Sequence, residues 1–309
     1  MRFQIVLSKT LNDLMSLRRT VALVLLGLSV PVALAIIAWR ESPQVSEMSL
    51  EMQIHYVINN FSIALFMWVA GLFLAVTVAT TAAGFIAKED SEGTLLLMVS
   101  KPIDRFEIVL GKFLALVISS MALQALILLL SVAIFWIVLP LDPDTFRALV
   151  KLIPWMFLYS IIVTIAFGAI ATAFSVLMKS RVKIMLVLMI IIMVVFFIGM
   201  VVRTTSPQAY EDYRLYYPDL GYHLGNSFGL FVDRVESGKV LPESQALLGT
   251  FAGTYRSVEQ SFDPDIGAMP GSLEATGYVS PAVSLAIWLA ISAAALWLAA
   301  IAIKRKEVH

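Results

Sequence analysis

The residues able to do chemistry are few, and most of them exclude a reaction rather than suggest one. There are three histidines, His55, His223 and His309, and no cysteine, so disulfides and thiolate metal sites are ruled out. No Gly-x-x-x-x-Gly-Lys-Ser/Thr loop is present to cradle nucleotide phosphates, and His-Glu-x-x-His and Gly-x-Ser-x-Gly are missing too. Gly111-Lys112 lacks the preceding glycine and leads into an apolar run. The chain reads as a non-enzyme with no cofactor and no metal site of its own. One set of soft ligands could suit copper: Met48, Met52 and His55. On a helix, spacings of four and three would put all three on one face. Yet Met48, Leu50, Met52 and Ile54 alternate with Glu47, Ser49, Glu51, Gln53 and His55, and an extended chain would turn His55 away. Interfacial packing by adaptable apolar side chains is the plainer reading. Asp263-Pro264-Asp265-Ile266-Gly267 lacks the ligand series of an EF-hand and reads as an acidic turn.

A chain with 60% hydrophobic and 14% charged residues lies far outside the balance of soluble domains. Uninterrupted apolar length decides what that means. Six stretches qualify, at 20–39, 57–87, 113–141, 152–178, 184–202 and 279–303, and none contains Asp, Glu, Lys, Arg or His. Each reaches the ~20 residues that cross a bilayer core as a helix. Ala33-Leu34-Ala35 has the form of a signal cleavage site, but the run continues through Ile36 and Ile37, so 20–39 is read as a span. The expected fold is an all-α, polytopic membrane protein with six transmembrane helices. Six crossings put both ends on one side, which then carries fourteen of the 22 Lys and Arg. The short runs Lys179-Ser180-Arg181-Val182-Lys183 and Lys304-Arg305-Lys306 weigh most. Both termini are expected to be cytoplasmic, in a plasma membrane crossed many times.

Four regions follow. Residues 1–19 repeat Phe3, Val6, Leu7, Leu11, Leu14 and Leu17 among Arg2, Lys9, Arg18 and Arg19, which suits a helix lying in the inner interface. Residues 20–202 hold the first five spans and a polar stretch at 88–112. Residues 203–278 are expected to form an extracytoplasmic helical cap. Seven of the nine tyrosines gather there, as at a water–lipid interface. Leu224, Phe228, Phe231, Val232 and Val235 fall at helical spacing, as do Leu247, Leu248, Phe251, Tyr255, Val258 and Phe262. Residues 279–309 supply the sixth span and a basic tail. Within the spans, Thr77, Thr81, Gln124 and Thr172 are candidate translocation-path residues, beside their ordinary use in joining helices. No ionisable group lies inside a span, so ion-coupled transport lacks its path and energy must enter from outside the membrane.

The polar stretch has a grammar of its own. It reads Lys88-Glu89-Asp90-Ser91-Glu92-Gly93-Thr94-Leu95-Leu96-Leu97-Met98-Val99-Ser100-Lys101-Pro102-Ile103-Asp104-Arg105-Phe106-Glu107-Ile108-Val109-Leu110-Gly111-Lys112. Its acids suit the positive end of a helix beginning near Ser91. Pro102 ends the apolar run from Leu95 to Val99. Asp104 then stands three residues before Glu107, the capping-box spacing for a helix running into the next span. A helix, a corner and a second helix start are thus presented between two spans.

This order of acids, Glu92-Gly93-Thr94-Leu95, apolar turn, Pro102, Arg105 and Gly111-Lys112 resembles the cytoplasmic coupling loop of type-2 ABC exporter permeases. It is most similar to the membrane subunit that serves nitrous-oxide-reductase maturation. The local match covers 88–112; elsewhere the resemblance rests on the number, order and spacing of spans. The 203–278 insertion is longer than such permeases usually carry at that place. The resemblance implies a permease subunit of an ATP-driven exporter, paired with a second copy of itself and with two copies of a separate ATPase that binds ATP and Mg. Glu89, Asp90, Glu92 and Arg105 would then touch the ATPase, with Thr94 beside them, while Gly93 and Pro102 shape the elbow. Leu95 to Val99 would seat it against the bundle, and the N-terminal helix would pack beside the ATPase. Membrane lipids and a periplasmic partner protein are the other partners expected, and nucleic acid is not. The alternative is the same fold passing force or a signal to a periplasmic metalloprotein or copper-delivery partner.

Overall fold

Apolar length fixes the architecture, and six helices have enough of it to cross a membrane. A computed structural model describes residues 2–40, 49–87, 89, 105–139, 141–232, 248–257, 262–263, 267–268 and 273–305. Helix α1 (Arg2–Leu14) breaks at Met15 and Ser16 before α2 (Leu17–Arg40), the first span. The second span, Tyr56–Ala82, is composite. It comprises α3 (Leu50–Ala64), a π-helical segment (Leu65–Leu72) and α4 (Phe73–Ala82). The third and fourth spans are α5 (Arg105–Val138) and α6 (Pro143–Leu177). The fifth joins α7 (Arg181–Met193), a second π segment (Val194–Ile198) and α8 (Gly199–Thr205). After α9 (Pro207–Asp212) and α10 (Leu220–Val232) come four short strands, and α11 (Pro281–Arg305) is the sixth span.

Local signals place several of these ends. Helix α5 is described from Arg105 on, and Asp104, read as its cap, lies outside the described residues. Asp142 caps α6 by accepting from the Asp144 amide at 2.9 Å, with Pro143 at the first helical position. Ser180 caps α7 across the tight turn that makes the fourth and fifth spans neighbours. Both α5 and α6 run well beyond their apolar stretches. At 34 and 35 residues they reach about 50 Å at ~1.5 Å per residue, against a hydrocarbon core of about 30 Å.

The second and fourth spans form the centre. Of their most apolar windows, 76% and 67% is buried, against 33% or less for the other four. Helix α6 packs on the second, third and sixth spans together. It does so through small residues: Ala166, Ala169 and Ala171 are buried, and at Gly168 a β-carbon would stand 3.0 Å from Leu116. In lipid, where apolar residues gain nothing from leaving water, such close approach is the main source of helix association. Trp288 of α11 completes this centre, fully buried with its ring 5.7 Å from Phe167. Helix α1 lies across the start of α5, where Val6 sits against Gly111.

The insertion differs from expectation. The predicted helix through Leu247, Leu248, Phe251, Tyr255, Val258 and Phe262 stops at Ala252. Gly253 takes φ +71° and returns its amide to the Gly249 carbonyl at 2.9 Å, a left-handed helix end. The chain then becomes strand. Strand β1 (Tyr255–Ser257) pairs antiparallel with β4 (Leu273–Ala275). Strand β2 (Phe262–Asp263) pairs antiparallel with β3 (Gly267–Ala268), and Pro264, Asp265 and Ile266 between them lie outside the described residues. Helix α10 forms where expected, with Leu224 and Phe228 buried. It docks on the fourth and sixth spans and on the second π segment instead of standing clear of the bundle.

Candidate functional site

The chain leaves the second span through a turn, Ala83–Ile86, and three elements clasp it. From α5, the Lys112 ammonium donates to the Phe85 carbonyl at 2.7 Å and pairs with Glu89 at 2.6 Å. From α6, the Ser175 hydroxyl accepts the Ile86 amide at 2.9 Å and the Ala87 amide at 3.3 Å. From α2, Arg19 donates to the Thr81 hydroxyl at 2.6 Å, and Thr81 donates in turn to the Thr77 carbonyl at 2.6 Å. The freed backbone groups of an unwound helix end are thereby satisfied inside the bundle, as membrane depth requires. Lys112 is almost wholly buried, with 7% of its side chain exposed, while Glu89 keeps 20%. Glu89 is thus the first acid of the predicted coupling loop and also part of its root. Arg105, at the other root, donates to the Ile303 carbonyl at 3.3 Å, tying α5 to the end of α11. Asp90, Glu92, Gly93, Thr94 and Pro102 lie outside the described residues, as does Met48 of the copper set.

The four path candidates separate. Thr77 and Thr81 line a cavity of about 120 Å³ between α2, α4 and α5, together with Arg19, Thr20, Ser119 and Ser120. Gln124 is fully buried elsewhere, donating to the Val69 carbonyl at 3.2 Å inside the first π segment. There the backbone leaves helical values at Gly71 (φ −100°, ψ −105°). Gln124 therefore joins two spans at a kink, the ordinary role weighed for it. Thr172 is also buried, and its hydroxyl finds no hydrogen-bond partner among the described residues.

Sequence reasoning missed a polar network at the opposite end of the bundle. Arg203 forms a buried ion pair with Asp219, each side chain less than a tenth exposed, and donates to the Phe251 carbonyl at 2.7 Å. Asp219 also accepts from the Tyr210 hydroxyl at 2.9 Å and from the Tyr222 amide at 3.0 Å, so it caps α10 as well. Burial, foremost, pushes the Tyr210 and Tyr222 hydroxyls above the ordinary tyrosine range, and the Asp219 charge adds to the effect on Tyr210. Tyr216 stacks on Tyr278 at 4.4 Å, with Tyr210 and Tyr222 against the same pair. With Tyr217 against Tyr216 at 4.7 Å, five of the seven expected interface tyrosines thus pack on one another. Buried His223 contacts Ser284 at 3.0 Å and the Tyr217 carbonyl at 2.9 Å, which pins α10 to α11. The only sequence cue was the crowding of tyrosines.

Six spans, a charged loop between the second and third, and an insertion between the fifth and sixth are the shape of a transporter's membrane half. The family model described as ABC-2 family transporter protein matches residues 4–307. The chain belongs to the ABC-2 transporter family. No curated protein matches it. An ABC-2 chain is a multi-pass membrane subunit of an ABC transporter and associates with an ATP-binding subunit. Among the described residues, no group of three His, Cys, Asp or Glu is placed to hold a metal ion.

Proposed function

We propose that this ABC-2 permease is the transmembrane subunit of an ATP-driven exporter in the plasma membrane, working as a homodimer with two ATPase subunits docked on the 88–104 loops. Both termini and those loops then face the cytoplasm, on the side that holds most of the Lys and Arg. The observation that carries the reading is the clasp of Lys112, Glu89 and Ser175 around the turn at Ala83–Ala87. A loop fixed only by its own chain would fold aside when pushed. One fastened to α4, α5 and α6 passes the push into three spans, including the two at the centre. Glu89, Asp90, Glu92 and Arg105 are assigned to the ATPase-facing side with Thr94 beside them, and Gly93 and Pro102 to the elbow.

A specific observation favours a second reading, in which the same stroke works on a periplasmic partner. Helix α10 is wedged against both π segments, so movement of the spans would move the insertion too. The loop's likeness to the nitrous-oxide-reductase maturation permease supports this reading. One experiment tests the docking common to both. The tagged full-length chain is co-purified with the ATPase encoded beside it, as wild type and as Glu92→Arg. A wild-type complex that the variant loses is the expected result. Equal recovery with both moves the docking surface off the loop, and no ATPase with either overturns the proposal.

A further inference from the structure

The cavity between α2, α4 and α5 holds a charge that its own walls leave uncompensated. Arg19 reaches into it from the first span, and among the described residues its hydrogen-bond partner is the neutral Thr81 hydroxyl. Among the described residues, no carboxylate pairs with it. A second guanidinium, Arg181, stands near enough to act on Arg19 electrostatically and lies against Gly84 one turn on. Lys112, the third cation of this region, is already paired with Glu89. Two guanidiniums therefore share the end of the second span, and among the described residues no carboxylate pairs with Arg19. Arg19 itself is half-buried, and desolvating its charge is unfavourable unless an anion shares the site.

The remaining walls say what kind of anion fits. Leu23, Leu123 and Leu126 line one side and Leu14 and Met15 another, with Met15 and Leu126 substantially exposed at the opening. Arg19 is the third residue of the helix Leu17–Arg40, about 3 Å along it at ~1.5 Å per residue. It thus stands at the level where headgroups give way to acyl chains. A charged donor at that depth beside an apolar, sideways-opening wall matches an amphiphile with an anionic head. From this geometry we infer that the cavity binds an anionic phospholipid of the leaflet at the end holding the termini. Its phosphate sits on Arg19 and Thr20, and an acyl chain lies along Leu23 and Leu126. Arg19 suits phosphate through its planar fork of donors.

The test uses the purified full-length chain in neutral detergent, with lipid adducts counted by native mass spectrometry. The probes are phosphatidylglycerol and phosphatidylcholine of identical chains. Wild type is expected to hold phosphatidylglycerol roughly tenfold more tightly, the equivalent of one charge-assisted hydrogen bond. Arg19→Gln should abolish the preference. Leu123→Trp, which fills the cavity and leaves Arg19 in place, should lower phosphatidylglycerol binding in a chain that still melts as wild type does, and it carries the test if Arg19→Gln fails to fold. Equal affinity for the two lipids, or a preference that survives both substitutions, overturns the inference. Displacement of the lipid by excess inorganic phosphate overturns the lipid as occupant and leaves a free-anion site. Because no ATPase is present, the outcome stands apart from the export reading.

Discussion

At the scale of single residues, the Lys112–Glu89 pair is the contact on which the proposed coupling rests. Lys112 is held in low dielectric, where removing the Glu89 charge leaves it without its counter-ion, at a cost of about 3–5 kcal/mol for fully buried pairs. Glu89 keeps 20% of its side chain exposed, so the lower end of that range applies. Lys112→Met and Glu89→Gln should each lower the apparent melting temperature in detergent. The double variant should recover part of the loss, with a coupling of about 1–3 kcal/mol. Additive losses in the double variant would show that the two side chains act independently. This pair was half legible in the sequence. Glu89 and Lys112 were both read as parts of one polar stretch, but no local pattern says that residues 23 apart in sequence meet.

At the scale of elements, the kink in the second span is the feature with the sharpest steric requirement. A β-carbon at Gly71 would stand 1.9 Å from the Phe66 carbonyl oxygen, and backbone cannot rotate away as a side chain can. Gly71→Ala should therefore destabilise by about 1–3 kcal/mol or more, as overpacking does. Gly229→Ala on α10, where nothing lies within 4 Å, should be neutral or slightly stabilising. Thermal melts of the two variants side by side check this, and equal effects would remove the steric account. The spans themselves were legible because crossing a bilayer demands continuous apolar length. The kink was not, since one glycine in an apolar run is common in membrane helices. The strands were misread because Leu247 to Phe262 keeps an apolar period across Gly249 and Gly253, and those glycines, not the period, decide where the helix ends.

At the scale of the whole molecule, α10 ties the insertion to the spans that the proposed stroke would move. The Phe228 ring lies 4.6 Å from Phe66 and 5.1 Å from Tyr159, one residue from each of the two central spans. If the spans rock, this three-ring junction must slide. A short thiol cross-linker joining Phe66→Cys to Phe228→Cys should leave ATPase binding intact and abolish stimulated ATP hydrolysis, and the chain has no cysteine to confuse the reading. Undiminished stimulation in the linked form would show that α10 and the second span move as one body. The burial of Trp288 against Phe167 has a further consequence, for biosynthesis. Helix α11 begins roughly a hundred residues after α6 ends, which at ~5–20 residues per second means a wait of several seconds or more. Until the last helix emerges from the ribosome, the central span presents an unfilled face, so the nascent bundle must be sheltered by the insertion machinery before it can close.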